Sequence, residues 1–142
     1  MKANFFKATI LALVTIFTIS CSKDDDSSST ETGGGSTTTN TWVKLTATTS
    51  SGVVKPNYII MMFDQPVTST SALPPIKKQV TTDANGLAYF DLNSMITSTN
   101  PTTYYFEAFV SNGSGGYIWK SVTHYQTNLA KGTMATSSII VN

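Results

Sequence analysis

The sequence contains no arginine, and its nine lysines stand against eight acids in 142 residues. Proteins that hold nucleic acids neutralise phosphates with clustered Lys and Arg, so a nucleic-acid partner is not expected. Charged residues make up only 12% of the chain. Helix formers such as Glu, Leu and Arg are scarce, while Thr, Ser, Gly and aromatic residues are plentiful. That balance points to an all-β extracellular domain. There is one His and one Cys. A zinc site needs several such ligands, so no metal centre is expected, and no cofactor either. The chain cannot form an internal disulfide. The apolar run at residues 8–19 falls short of the ~20 residues that a membrane-spanning helix needs.

What that run does fit is a secretory signal. Lys2 and Lys7 precede it in "MKANFFK", and a basic start followed by ~7–15 apolar residues is the layout of an export signal. The run ends at Ser20-Cys21. Here the chain resembles bacterial lipoproteins, whose signal is cut directly before a Cys that then carries lipid. Ser20 matches the small residue before the cut, and Thr18 stands where the common motif has Leu. "SKDDD" follows, with Lys23, Asp24, Asp25 and Asp26. It resembles the acidic export signal of Gram-negative surface lipoproteins. The resemblance implies lipid on Cys21, a membrane partner through that lipid, and an outer-membrane location facing the cell exterior. A lone Cys in an exported chain otherwise lacks an explanation. Residues 22–40 contain no aromatic or aliphatic side chain. They cannot bury enough apolar surface to offset chain entropy and read as a tether with an average span of about 25 Å. The organisation expected is a signal at 1–20, a lipidated Cys and tether at 21–40, and a folded domain at 41–142.

The folded part reads as β throughout. Strands are expected over residues 41–49, 57–63, 76–82, 87–92, 102–111, 116–125 and 133–141, with one short helical turn within 92–99. "DANG" at 83–86 is a turn signal in which Gly86 is free to take positive φ. Seven short strands separated by turns predict a seven-stranded antiparallel β-sandwich, transthyretin-like or immunoglobulin-like in class. "VTTDANGLAYFDL" at 80–92 resembles a signature of transthyretin-like, carboxypeptidase regulatory-like sandwich domains, with Thr82, Asp83, Gly86, Ala88 and Phe90 in matching places. The resemblance implies a hairpin with Ala88 and Phe90 facing the core. It marks a fold and not an activity.

No catalytic constellation is visible, so the protein is read as non-enzymatic. His124 has no accompanying nucleophile motif. Asp64, Asp83, Asp91 and Glu107 are the only acids after residue 41, and scattered acids are ordinary on sandwich surfaces. A binding function remains, either as an accessory module docking onto another envelope protein or as a carbohydrate-binding surface protein. Trp42, Trp119, Tyr104, Tyr105, Tyr117 and Tyr125 are candidates for sugar stacking or for core filling. Outward rings on one flat face would favour sugar, and an apolar non-aromatic patch would favour a protein.

The loop between the strands at 102–111 and 116–125 predicts a register for the hairpin. With a loop of Asn112 to Gly115, Ser111 pairs with Gly116, Phe109 with Ile118, Glu107 with Lys120 and Tyr105 with Val122. Period-two alternation then places Tyr104, Phe106, Ala108, Val110, Tyr117 and Trp119 in the core. Tyr105, Phe109, Ile118 and Val122 form an apolar outer face, the candidate binding surface. The alternative is that residues 92–101 or the C-terminal tail fold over that face.

Overall fold

The computed structural model describes residues 39–69 and 72–142. Cys21, Lys23, Asp24, Asp25 and Asp26 lie outside the described residues. The architecture is all-β, with eight strands in two sheets and no α-helix among the described residues. The strands are β1 Trp42–Thr48, β2 Ile59–Phe63, β3 Lys78–Thr81, β4 Leu87–Asp91, β5 Thr102–Ser111, β6 Tyr117–Trp119, β7 Tyr125–Leu129 and β8 Met134–Ile140. One sheet has the order β4-β1-β8; the other runs β3-β2-β5-β6, with β7 also pairing β5. The expected helical turn within 92–99 is a single turn, with the amides of Met95 and Ile96 both bonded to the Leu92 carbonyl.

The sheets meet as their alternation requires. Val43, Leu45 and Ala47 of β1 are fully buried, and the residues between them face the other way. Ala88 and Phe90 of β4 do the same. From the opposite sheet Ile60, Met62, Phe106 and Ala108 complete the core, joined by Leu92, Ile96, Leu129, Ile139 and Val141. The sandwich is therefore one central apolar layer between two pleated surfaces.

Three details differ from the sequence expectation. The sheets are not purely antiparallel, since β1 and β8 run parallel from Trp42↔Met134 to Thr48↔Ile140. The sixth expected strand is not continuous, because residues 116–125 hold β6 and only the first residue of β7, which makes eight strands in place of seven. The turn at 83–86 does not close a hairpin, since β3 pairs with β2 and β4 with β1, in different sheets. It is a corner carrying the chain across the sandwich. Each matched residue has a job there. The Thr82 hydroxyl, buried, accepts from the Tyr58 amide and donates to the Lys55 carbonyl. Asp83 Oδ1 accepts from the amides of Asn85 and Leu87. Gly86 sits at φ 72°, in the left-handed region that glycine tolerates.

Candidate functional site

The expected binding face is dismantled by a register shift of one residue. The ladder pairs Ser111↔Tyr117, Val110↔Ile118 and Phe109↔Trp119. The loop is longer by one residue because Asn112 Oδ1 accepts from the amides of Ser114 and Gly116, and the Asn112 amide donates to the Gly116 carbonyl. A one-residue slip sends each side chain of β6 to the opposite face. Tyr117 and Trp119 thus join Phe109 and Tyr105, while Ile118 points away from them. Phe109 is fully buried and Tyr105 half-buried. Ile118 and Val122 are 47% and 56% exposed. The four residues do not share an exposed face.

What covers Phe109 is neither segment 92–101 nor the tail. It is the described parts of the connection between β2 and β3, residues 64–69 and 72–77, which place Val67 and Leu73 against Met61, Phe63 and Phe109 as a second, smaller core. An ion pair at 2.6 Å between Asp64 and Lys77 joins the two ends of this strap. The hydrogen bond from Lys77 holds the Asp64 carboxyl below the usual carboxylate range.

Glu107 lies on this covered face, only 2% exposed, and has no ion pair with Lys120. Its Oε2 accepts from Trp119 Nε1 at 2.9 Å, and its Oε1 is 2.7 Å from His124 Nδ1. Two nitrogen partners satisfy the carboxylate in place of the expected Lys. His124 returns from a break in the edge of the sheet. Ser121 Oγ there replaces a ladder carbonyl by accepting from the Ala108 amide, while the Val122 and Thr123 amides reach across to the Ile140 carbonyl. The Glu107–Trp119–His124 node is thus a clamp on this break. The His124 ring nitrogen Nδ1 is engaged by Glu107, and among the described residues no three His, Cys, Asp or Glu side chains converge as a metal group would require. The Asp83 carboxylate is engaged by its own turn. A cavity of about 90 Å³ beside Ile96, Asn100 and Tyr104 is far below the ~300 Å³ of ordinary ligand pockets.

The remaining aromatic surface is the outer face of the three-stranded sheet. Trp42 and Lys44 of β1 point outward by alternation with buried Val43 and Leu45. On β4, Tyr89 lies between buried Ala88 and Phe90 and is 46% exposed. The Trp42 and Tyr89 rings lie 6.2 Å apart and tilted by 42°. Lys44 Nζ sits 4.7 Å from the Trp42 ring centre and 5.5 Å from that of Tyr89. Around them stand exposed Met134, Thr136 and Asp91, the first and last directly across from Trp42 and Thr136 across from Lys44. Tyr89 was not among the sequence candidates. The alternation of "LAYFD", with Ala88 and Phe90 already assigned inward, was the signal that would have found it. Of the other candidate rings, Tyr104 and Tyr125 pack on the central core, and Tyr105, Tyr117 and Trp119 on the smaller one. No family model matches the chain, and no curated protein matches it.

Proposed function

We propose that the protein is a non-enzymatic glycan-binding module, tethered through lipid on Cys21 and displayed from the outer membrane toward the exterior. The observation that carries the binding reading is the outward Trp42–Tyr89 pair on a sheet face flanked by Thr136 and Asp91. Flat aromatic rings stack on the C–H faces of sugars, and short polar side chains beside them suit hydroxyl groups. The address rests on Cys21 and the Lys23 to Asp26 run. The Thr82-to-Phe90 signature supports a transthyretin-like, carboxypeptidase regulatory-like ancestry. The test is a glycan array with the full-length protein. Trp42→Ala and Tyr89→Ala should each weaken the sugar signal by about five- to thirtyfold, the usual effect of truncating an aromatic hot spot. Unchanged binding in both variants would remove this face from the site.

A second reading is docking onto another envelope protein through exposed Ile118 and Val122. Pull-down with Ile118→Ser and Val122→Ser variants tests it. For the anchor, Cys21→Ala should abolish labelling by a fatty-acid analogue, since no other Cys exists to accept lipid. Undiminished label would refute lipidation at this residue.

A further inference from the structure

Lys44 occupies an unusual place for a surface cation. It rests over two aromatic rings and forms no ion pair among the described residues. An acid stands nearby, since Asp91 is directly across from Trp42 on the same face. That carboxylate is drawn along its own strand end, where Asp91 Oδ1 accepts from the amide and the side-chain nitrogen of Asn93. A second ammonium, Lys78 Nζ, donates to the Asp91 carbonyl at 2.6 Å. Lys78 belongs to β3 of the other sheet and reaches only this backbone carbonyl, so the charged groups of the platform are the Lys44 ammonium and the Asp91 carboxylate. Among the described residues the cation nearest the rings is paired with no anion. Ring faces attract a cation but do not neutralise it.

We infer that the platform takes an acidic glycan, one whose rings stack on Trp42 and Tyr89 while a carboxylate or sulfate group meets Lys44. The inference rests on the glycan reading of this face and adds the charge of the ligand. A neutral sugar would use the rings and leave Lys44 unpaired. An anionic one would supply the missing counter-charge, and a charge-assisted hydrogen bond is stronger than a neutral one. Lys suits a single anionic group on a solvated surface, because its ammonium is a compact point charge with rotatable donors.

The experiment is an array probed with the full-length protein in detergent. It carries neutral cello-, manno- and chito-oligosaccharides, oligogalacturonate, the methyl ester of the same oligogalacturonate, and chondroitin sulfate fragments. The ester keeps the ring and removes the charge. The expected result is binding to the uronate, the sulfated fragments or both. Where the uronate binds, it should exceed its ester by about three- to tenfold. Lys44→Met should erase the acidic preference, so that the uronate and its ester bind equally, while Lys44→Arg retains the preference. Thermal melts of both variants should match the parent. Equal binding of acid and ester, a preference for neutral sugars, or an acidic preference that survives Lys44→Met would overturn the inference and leave the glycan reading standing. No binding to any sugar on the array would overturn both.

Discussion

Replacing Phe90 with Ala should destabilise the domain by about 3–5 kcal/mol, the usual range for emptying a buried aromatic site. Phe90 is fully buried on β4 and meets Phe106 of β5 edge-on, with ring centres 5.3 Å apart and planes at 81°. The two strands belong to different sheets, so this contact holds the halves of the sandwich together. No neighbour can swing in to fill the space, because the positions beside it are small or committed. Ala88 is on the same strand, and Val43, directly across, is already buried. A domain of this size is stable by only ~5–15 kcal/mol in total, so the loss removes a large share. Denaturant unfolding should show the midpoint falling with little change in slope. Tyr89→Ala is the internal control. It deletes an equally large ring one residue away, but on the outward face, and should cost about 1 kcal/mol or less. A Phe90→Ala loss below about 1 kcal/mol would mean that β4 is turned over, and with it the placement of Tyr89 on the binding face.

That pairing of effects shows which parts of the fold could be read in the residues. The strand 102–111 appears with the expected ends, because ten residues rich in Thr, Tyr, Phe and Val have no competing local structure. Ala88 and Phe90 face inward as strict alternation requires. Where the structure differs, a weak interaction gives way to a stronger one. The expected register of β5 and β6 follows from a four-residue loop of Asn112 to Gly115, and it places Lys120 across from Glu107. An exposed ion pair contributes too little to fix a register. The five-residue loop closed by Asn112 does fix it, and a buried Trp119–Glu107 bond then takes the place of the ion pair.

The cover over Phe109 comes from a segment other than the expected alternatives, 92–101 or the C-terminal tail, for a related reason. The connection 64–77 holds three prolines and no strand pattern, so it read as a loop. Yet it is longer than most connections in compact domains, and it carries Val67 and Leu73 with only Asp64 and Lys77 charged, at its ends. A long connection that keeps apolar residues is a cover, and β5, with Tyr105 and Phe109 on the face away from the central core, needed one. The parallel pairing of β1 with β8 had no sequence signal, because it joins strands from opposite ends of the domain. Their partnership follows from the closing of the whole sandwich and not from any local pattern.

Gly86→Val should be at least as disruptive per atom added as any change in the domain. Two separate costs meet at this residue. Its φ of 72° lies in the left-handed region, where an L side chain costs roughly 1–2 kcal/mol, and a β-branched one more. A Cβ placed there would also stand 2.8 Å from the Ala47 carbonyl oxygen, 3.0 Å from the Lys55 nitrogen and 3.2 Å from Val54 Cβ. Two of those three atoms are backbone and cannot rotate away. They are fixed by the bonds that bring the three segments together, since the Ala47 amide donates to the Gly86 carbonyl and the Lys55 amide to the Ala47 carbonyl. Moving either neighbour breaks one of these bonds at the junction of β1, its following loop and the sheet-crossing corner. Steric strain of this kind adds about 1–3 kcal/mol, so the total for Gly86→Val should reach about 3 kcal/mol or more. Gly52 separates the two contributions. It has φ 83°, but nothing lies within 4 Å of its absent Cβ. Gly52→Ala should therefore show the backbone cost alone, about 1–2 kcal/mol, and Gly86→Ala should exceed it by the cost of the close approach. Equal losses for the two alanine variants would show that the corner yields freely, and that Gly86 is required for its backbone conformation and not for the meeting of three chains.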